Sequence, residues 1–203
     1  METDQATVNP PLERLDVAMT DLSNNALIVR LHYTINHLSR WLTPIHDQRR
    51  FERTVRRGEP TVRELVARLR DEELRVFPMM HAIAVQTSPD LDKLPPAVRT
   101  ADEDWLAREA STIQVMGSFR RLRQSTCSLL RGFPDTAWER GGVSRRDRNW
   151  TLRQLAEHLA SHDLETLFEM DLALDRVGAR EGIAAASRAH LSELLKLAPT
   201  DRR

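Results

Sequence analysis

Apolar residues recur every three or four positions along four long stretches of the chain, separated by segments rich in proline, glycine and charge. This spacing predicts four amphipathic α-helices, each with one face directed into a shared core. The first predicted helix begins after Pro11 and ends at about Leu42, and the second begins at Thr61 and ends before the segment 87–99. The third runs from about Asp102 to about Leu130, and the fourth runs from Thr151 to about Arg176.

The second and fourth helices have similar beginnings, TVRELVARLRDEEL from Thr61 and TLRQLAEHLASHDL from Thr151, at an offset of 90 residues. In both, the threonine can cap the free N–H groups while the Glu or Gln three residues later reaches back to the threonine backbone, which is the capping-box pattern. The match indicates two similar helix pairs related by a pseudo-two-fold axis. Chance similarity between two capped amphipathic helices is the alternative.

The connections have the composition of loops. Residues 87–99 contain three prolines and several aspartates, which indicates a long crossover, and residues 140–149 contain two glycines and a basic cluster. Leucines at helical spacing in residues 183–197 predict a shorter terminal helix that covers the bundle or contacts a second subunit. We expect one domain over residues 1–203, with a core of about 11–176.

Composition excludes several classes of protein. The 203 residues carry 30 basic and 30 acidic side chains, so no net charge favours nucleic acid or an anionic membrane. Charged residues interrupt every long apolar run, and the first residues lack the pattern of a secretory signal. We therefore expect a cytoplasmic protein that binds neither nucleic acid nor membrane.

Candidate chemistry is concentrated on the fourth helix and in the loop before it. His158 and His162 lie one turn apart on one helix face, where both can bind one metal ion if Glu72 of the second helix supplies a third ligand. Histidines hydrogen-bonded within a core are the alternative, because this spacing alone is a weak signal. The basic cluster 145–148 could bind a phosphate or carboxylate, or be solvated loop charge.

Three segments together resemble the DinB-like family, also called the DinB/YfiT-like metalloenzymes. They are EPTVRELVARLRDEE, FRRLRQSTCSLLRGFPDTAWERGGV and NWTLRQLAEHLASHDLETLFEM, and the resemblance covers about residues 20–176. It implies an all-α four-helix bundle with a long crossover, frequent homodimers, and three histidines that hold a divalent metal such as zinc or nickel. Characterised relatives include thiol-cofactor-dependent transferases and isomerases.

The ligand triad that this resemblance implies is incomplete here. Arg68 stands where the first histidine is expected, and a guanidinium does not lose a proton to become a metal ligand. If His162 is the second ligand, Thr166 stands at the third position. If the motif is moved by one turn onto His158 and His162, both histidines are kept but the match to the residues after them is lost.

Three functions remain open at this level. The favoured one is a metal-free relative that binds a small ligand or a partner through a cavity lined by Arg68, Glu72, His162 and Thr166. The second is a divalent-metal-dependent transferase, isomerase or hydrolase with a variant site of Glu72, His158 and His162. The third is an oligomeric interaction module. An ion pair between Arg68 and Glu72 is the structural alternative to a ligand site.

Overall fold

A computed structural model describes residues 19–95 and 109–179, and four α-helices form its framework. They are α1 (Asn24–Leu42), α2 (Val62–Val85), α3 (Thr112–Arg131) and α4 (Leu152–Arg176). The predicted all-α four-helix bundle is therefore confirmed. No helix within these ranges is long and apolar enough to cross a membrane.

The predicted caps begin α2 and α4. Thr61 accepts a hydrogen bond from the Glu64 backbone at 3.1 Å, and its own N–H donates to the Glu64 carboxylate at 2.7 Å. Thr151 and Gln154 exchange the equivalent pair of hydrogen bonds, each 3.1 Å long. Ser111 begins α3 with a third capping box, which the sequence analysis missed.

Two helix boundaries differ from the prediction. The first helix is not continuous from Pro11, because a short 3-10 turn at Met19–Asp21 comes before Ser23, whose side chain caps α1. The third helix does not run from Asp102, because Ala110 is non-helical and the Ser111 cap starts α3 at Thr112. The predicted segments 12–18, 102–108 and 183–197 lie outside the described residues.

The helices do not pack in chain order. The main contacts are α2 with α3, α2 with α4, α1 with α3 and α1 with α4. Around the bundle the order is therefore α1, α3, α2, α4, and the consecutive helices α1 and α2 occupy opposite corners. A two-fold rotation that exchanges α1 with α3 and α2 with α4 preserves this arrangement, as the internal repeat requires.

Two arginines at equivalent places in the repeat make equivalent contacts. Arg63 donates to the carbonyl of Ala110, just before α3, at 3.1 and 3.2 Å. Arg153, 90 residues later, donates to the carbonyls of Met19, Thr20 and Leu22, just before α1. Each arginine thus holds the segment that leads into the neighbouring helix, which supports the pseudo-two-fold axis.

The apolar core is divided in two by a polar layer. One cluster contains buried residues such as Leu27, Ile83 and Leu155, and the other contains residues such as Leu38, Leu69 and Met170. On every helix, buried polar side chains fall between the two clusters in sequence; they are Thr34, Arg70, Glu73, Arg123, Thr126, Asp163 and Thr166.

The segment 140–149 is not entirely loop. Strand β1 (Gly141–Gly142) pairs antiparallel with β2 (Trp150–Thr151), and Val143 exchanges two 2.8 Å hydrogen bonds with the crossover at Pro89 and Leu91. A β-carbon on Gly142 would lie 2.6 Å from a methyl carbon of Leu91, so any other residue here would require the Leu91 side chain to move. These pairings fix the loop that follows β1 beside the start of α4.

Candidate functional site

An ionic network at the centre of the bundle joins all four helices. Arg123 of α3 donates from Nε to Glu73 of α2 at 2.8 Å and from Nη2 to Asp163 of α4 at 2.9 Å. Its Nη1 also contacts Asp163 and donates to the carbonyl of Leu31 on α1 at 3.1 Å. Thr34 donates to Asp163 at 2.7 Å, so each helix supplies at least one member.

The network is sealed from solvent, since the side chains of Arg123 and Glu73 are fully buried and that of Asp163 is 3% exposed. Burial raises the pKa of the Glu73 carboxyl above its usual range, against the attraction of Arg123 and the hydrogen bond from Thr126. Burial alone would lower the pKa of Arg123, but Asp163 and Glu73 together raise it. We assign this network to structure because no ligand can reach it.

The network was not among the features predicted from the sequence, although the sequence carries a signal for it. Glu73 and Asp163 are separated by the same 90 residues as the two caps, so the repeat places a carboxylate at one equivalent depth on α2 and α4. Two acidic residues repeated on inward-facing turns predict a shared cation, and Arg123 supplies it.

A second cluster lies at the α2–α4 contact, next to the central network but partly open to solvent. We call Glu72, Arg75, His158 and His162 the seam cluster. Glu72 Oε1 lies 2.5 Å from His158 Nε2 and 2.5 Å from Arg75 Nη2. The Glu72 side chain is 17% exposed, whereas that of Arg75 is 47% exposed. Ligands from solution can therefore reach the guanidinium.

The contacts of Glu72 determine that the proton shared with His158 lies on the imidazole. The hydrogen bond with His158 holds the pKa of the Glu72 carboxyl far below its usual range, and Arg75 adds to this effect. The carboxylate can only accept, so His158 Nε2 carries the proton that it donates to Glu72. Arg75 Nη2 lies 3.1 Å from the same nitrogen, and this contact is consequently not a hydrogen bond.

The predicted metal ligands do not form a three-donor site. Glu72 Oε1 and His158 Nε2 are hydrogen-bonded to each other, so neither atom is free to bind a metal ion. The guanidinium of Arg75 also lies next to both residues. The centroid of the His162 ring is 6.4 Å from that of the His158 ring, and the two ring planes are inclined by 28°. In residues 19–95 and 109–179 no group of three His, Cys, Asp or Glu side chains is arranged to hold a metal ion. The side chains present do not fit the divalent metal that the resemblance implies.

The other predicted site residues have different contacts from those expected. Arg68 pairs with Glu169 at 2.7 Å, not with Glu72, and both partners of that pair are about half exposed. Thr166 is buried and donates its hydroxyl to the backbone carbonyl of His162 at 2.8 Å. Burial lowers the pKa of His162, which is therefore neutral near pH 7, and its Nδ1 has no partner among the described side chains.

Comparison of the structure with solved proteins gives a match for this topology. The chain is similar to YfiT from Bacillus subtilis, with a TM-score of 0.62 and 17% sequence identity over 76% of this chain and 87% of that one. YfiT is described as a probable metal-dependent hydrolase with an unusual four-helix bundle topology. No family model matches the sequence, and no curated protein matches it. The chain therefore has the DinB/YfiT-like fold that its motifs predict.

Proposed function

We propose that this chain binds a small ligand at the seam cluster without using a metal ion. The observation that carries the proposal is the position of Arg75, whose guanidinium touches Glu72 and lies beside His158. A fixed positive charge thus stands among the residues that were predicted to surround a metal. Arginine keeps that charge at every accessible pH and retains donors for an anionic group.

Two further features support a binding role. Arg75 uses Nε and Nη2 on Glu72, so the hydrogens of Nη1 remain available at a half-exposed side chain. His162 presents a neutral imidazole next to His158, with one ring nitrogen unpaired within the described part of the chain. A buried polar atom without a partner is costly, and a ligand can satisfy Nδ1 only when the side chains that cover it move.

The alternative is a metal-dependent hydrolase or thiol transferase, and the description of YfiT favours the hydrolase. In that case Glu72 and His158 would have to release each other and converge with His162 on one ion. Homodimer formation and a cytoplasmic location also stay predictions.

Metal analysis separates the two functions. Purified without a tag or chelator and then reloaded with zinc or nickel, the protein should hold far less than one ion per chain, and EDTA should leave its melting temperature unchanged. One ion per chain, lost in both Glu72→Ala and His162→Ala, would overturn the metal-free proposal. Glu165→Ala, an exposed acidic position on α4, is the matched control.

A further inference from the structure

The loop 144–149, between β1 and β2, carries three exposed arginines beside the seam cluster. Among the described residues, Arg145, Arg146 and Arg148 form no ion pair. We propose that this loop and Arg75 bind the phosphate group of a small phosphorylated molecule. This inference rests on the proposed function, since it names the chemical class of the ligand that the seam cluster would bind.

The loop is held in one conformation by its own polar side chains. Asp92 of the crossover accepts from the Ser144 hydroxyl and from the Arg145 backbone N–H, both at 2.7 Å. The Ser144 hydroxyl in turn accepts from the Asp147 N–H at 2.9 Å, and Asn149 accepts from the Ser144 N–H at 3.1 Å. A loop that is ordered before binding loses less conformational entropy when a ligand arrives.

Arg148 is positioned by an aromatic ring instead of a carboxylate. Its guanidinium carbon lies 3.8 Å from the centre of the Trp150 ring, and the Trp150 indole N–H donates to Asp147 at 2.9 Å. Stacking fixes the guanidinium while its N–H groups stay free to donate. Trp150 is only 5% exposed, so the ring cannot itself stack on a ligand. Recognition here depends on charge and hydrogen bonding.

Arg148 and Arg75 are connected through the rings of Trp150 and His158. Trp150 meets His158 edge to face with 5.5 Å between ring centroids, and His158 contacts Arg75. Asp147 interacts electrostatically with both arginines. The N-terminal end of α4, which begins at Leu152 directly after β2, adds partial positive charge.

The number of cations favours phosphate over carboxylate. One arginine fork satisfies both oxygens of a carboxylate, whereas a phosphate monoester presents three acceptor oxygens and nearly two negative charges. Here the loop carries three arginines and α2 adds Arg75, while Glu72, Asp92 and Asp147 are the nearby carboxylates. Asp147 competes with a bound anion, so its removal should strengthen binding. A site that served only to balance charge within the protein would gain nothing from that change.

Calorimetric titration with phenyl phosphate, and with benzoate as the carboxylate analogue, tests the proposal at low ionic strength. We expect phenyl phosphate to bind more tightly than benzoate. Arg148→Gln should weaken phosphate binding by roughly tenfold or more, as expected for the loss of a charged hydrogen-bond donor. Asp147→Asn keeps an oxygen to accept from Trp150 and should tighten binding. Arg120→Gln, an exposed position on α3, should change nothing.

Three results would overturn this inference: no phosphate binding at millimolar concentration, equal affinity for both probes, or unchanged binding in Arg148→Gln. A single-stranded oligonucleotide that binds much more tightly than phenyl phosphate would also overturn it, in favour of a nucleic-acid surface.

NMR distinguishes a failure of the phosphate inference from a failure of the proposed function. If only benzoate shifts the His158 and His162 resonances, metal-free binding at the seam cluster stands and the phosphate assignment fails. If neither probe shifts them and zinc binds at one ion per chain, both proposals fail.

Discussion

Replacing Arg123 with methionine tests the interpretation of the central network directly. The guanidinium is fully buried and holds two carboxylates, Glu73 and Asp163, so the network has one positive charge for two acidic groups. Methionine retains much of the apolar packing, but it removes the one guanidinium that contacts both buried carboxylates. Removing one partner of a buried ion pair costs about 3–5 kcal/mol.

A loss of that size is a large part of the total stability, which is about 5–15 kcal/mol for most proteins. Urea unfolding followed by far-UV circular dichroism measures it, and urea is preferred to guanidinium because it is uncharged and does not screen ion pairs. Arg120→Met, at an exposed position on α3, is the matched control and should change the free energy of unfolding by no more than about 0.5 kcal/mol.

A compensated variant distinguishes charge from shape. Arg123→Met combined with Glu73→Leu and Asp163→Leu removes the three charges of the network together, and most of the lost stability should return because the desolvation cost disappears as well. A loss near 1 kcal/mol or less in Arg123→Met alone, the size found for exposed ion pairs, would refute the reasoning. A compensated variant as unstable as the single one would show that packing dominates.

The remaining predictions concern the pH dependence of stability and the substitution of two glycines. Because burial raises the folded-state pKa of Glu73, the folded protein binds the proton more tightly, so stability should fall as pH rises above about 4.3 towards that raised pKa. Glu73→Gln should flatten this dependence in urea unfolding at several pH values, and an unchanged slope would contradict the assignment. Glu72 has a lowered pKa, so its contribution to stability is present above its unfolded pKa and is lost as pH falls. Carbon NMR should show that the pKa of the Glu72 carboxyl lies below its usual range and that this pKa rises in His158→Ala. An unchanged pKa in that variant would exclude His158 as the cause. Gly142→Ala should destabilise by about 1–3 kcal/mol because the new methyl overlaps a leucine, whereas Gly117→Ala within α3 should stabilise by about 0.5–1 kcal/mol. Thermal unfolding compares the two, and effects of the same sign would be inconsistent with the close approach at β1.

The local features of the bundle could be predicted because they depend on residues near one another in the chain. Thr61 and Thr151 begin helices through partners three residues away, and the apolar stripes give the buried faces. The cap at Ser111 follows the same rule and was available to the same reasoning. The start of α1 was harder, because an apolar spacing continues through Ser23 and only its hydrogen bond to the Ala26 N–H separates the helix from the preceding turn.

The order of packing, by contrast, is a property of the whole chain. Short connections favour neighbours in sequence, yet α1 and α2 occupy opposite corners, because each packs against both α3 and α4. The offset of 90 residues implied paired helices but not which helices touch. The parallel contact between Asp90 and Val143 likewise depends on the crossover returning beside the loop after β1.

The sequence by itself determined the helices, most of their ends, the internal repeat and the residue types available at the α2–α4 contact. Only the tertiary structure decided what those residues do. Glu72 and His158 could have completed a metal site, but Arg75 pairs with Glu72 one turn away on α2, and the approach of α2 to α4 brings this pair against His158. Side chains on different helices meet according to helix rotation and separation, and those are set by the packing of the entire core.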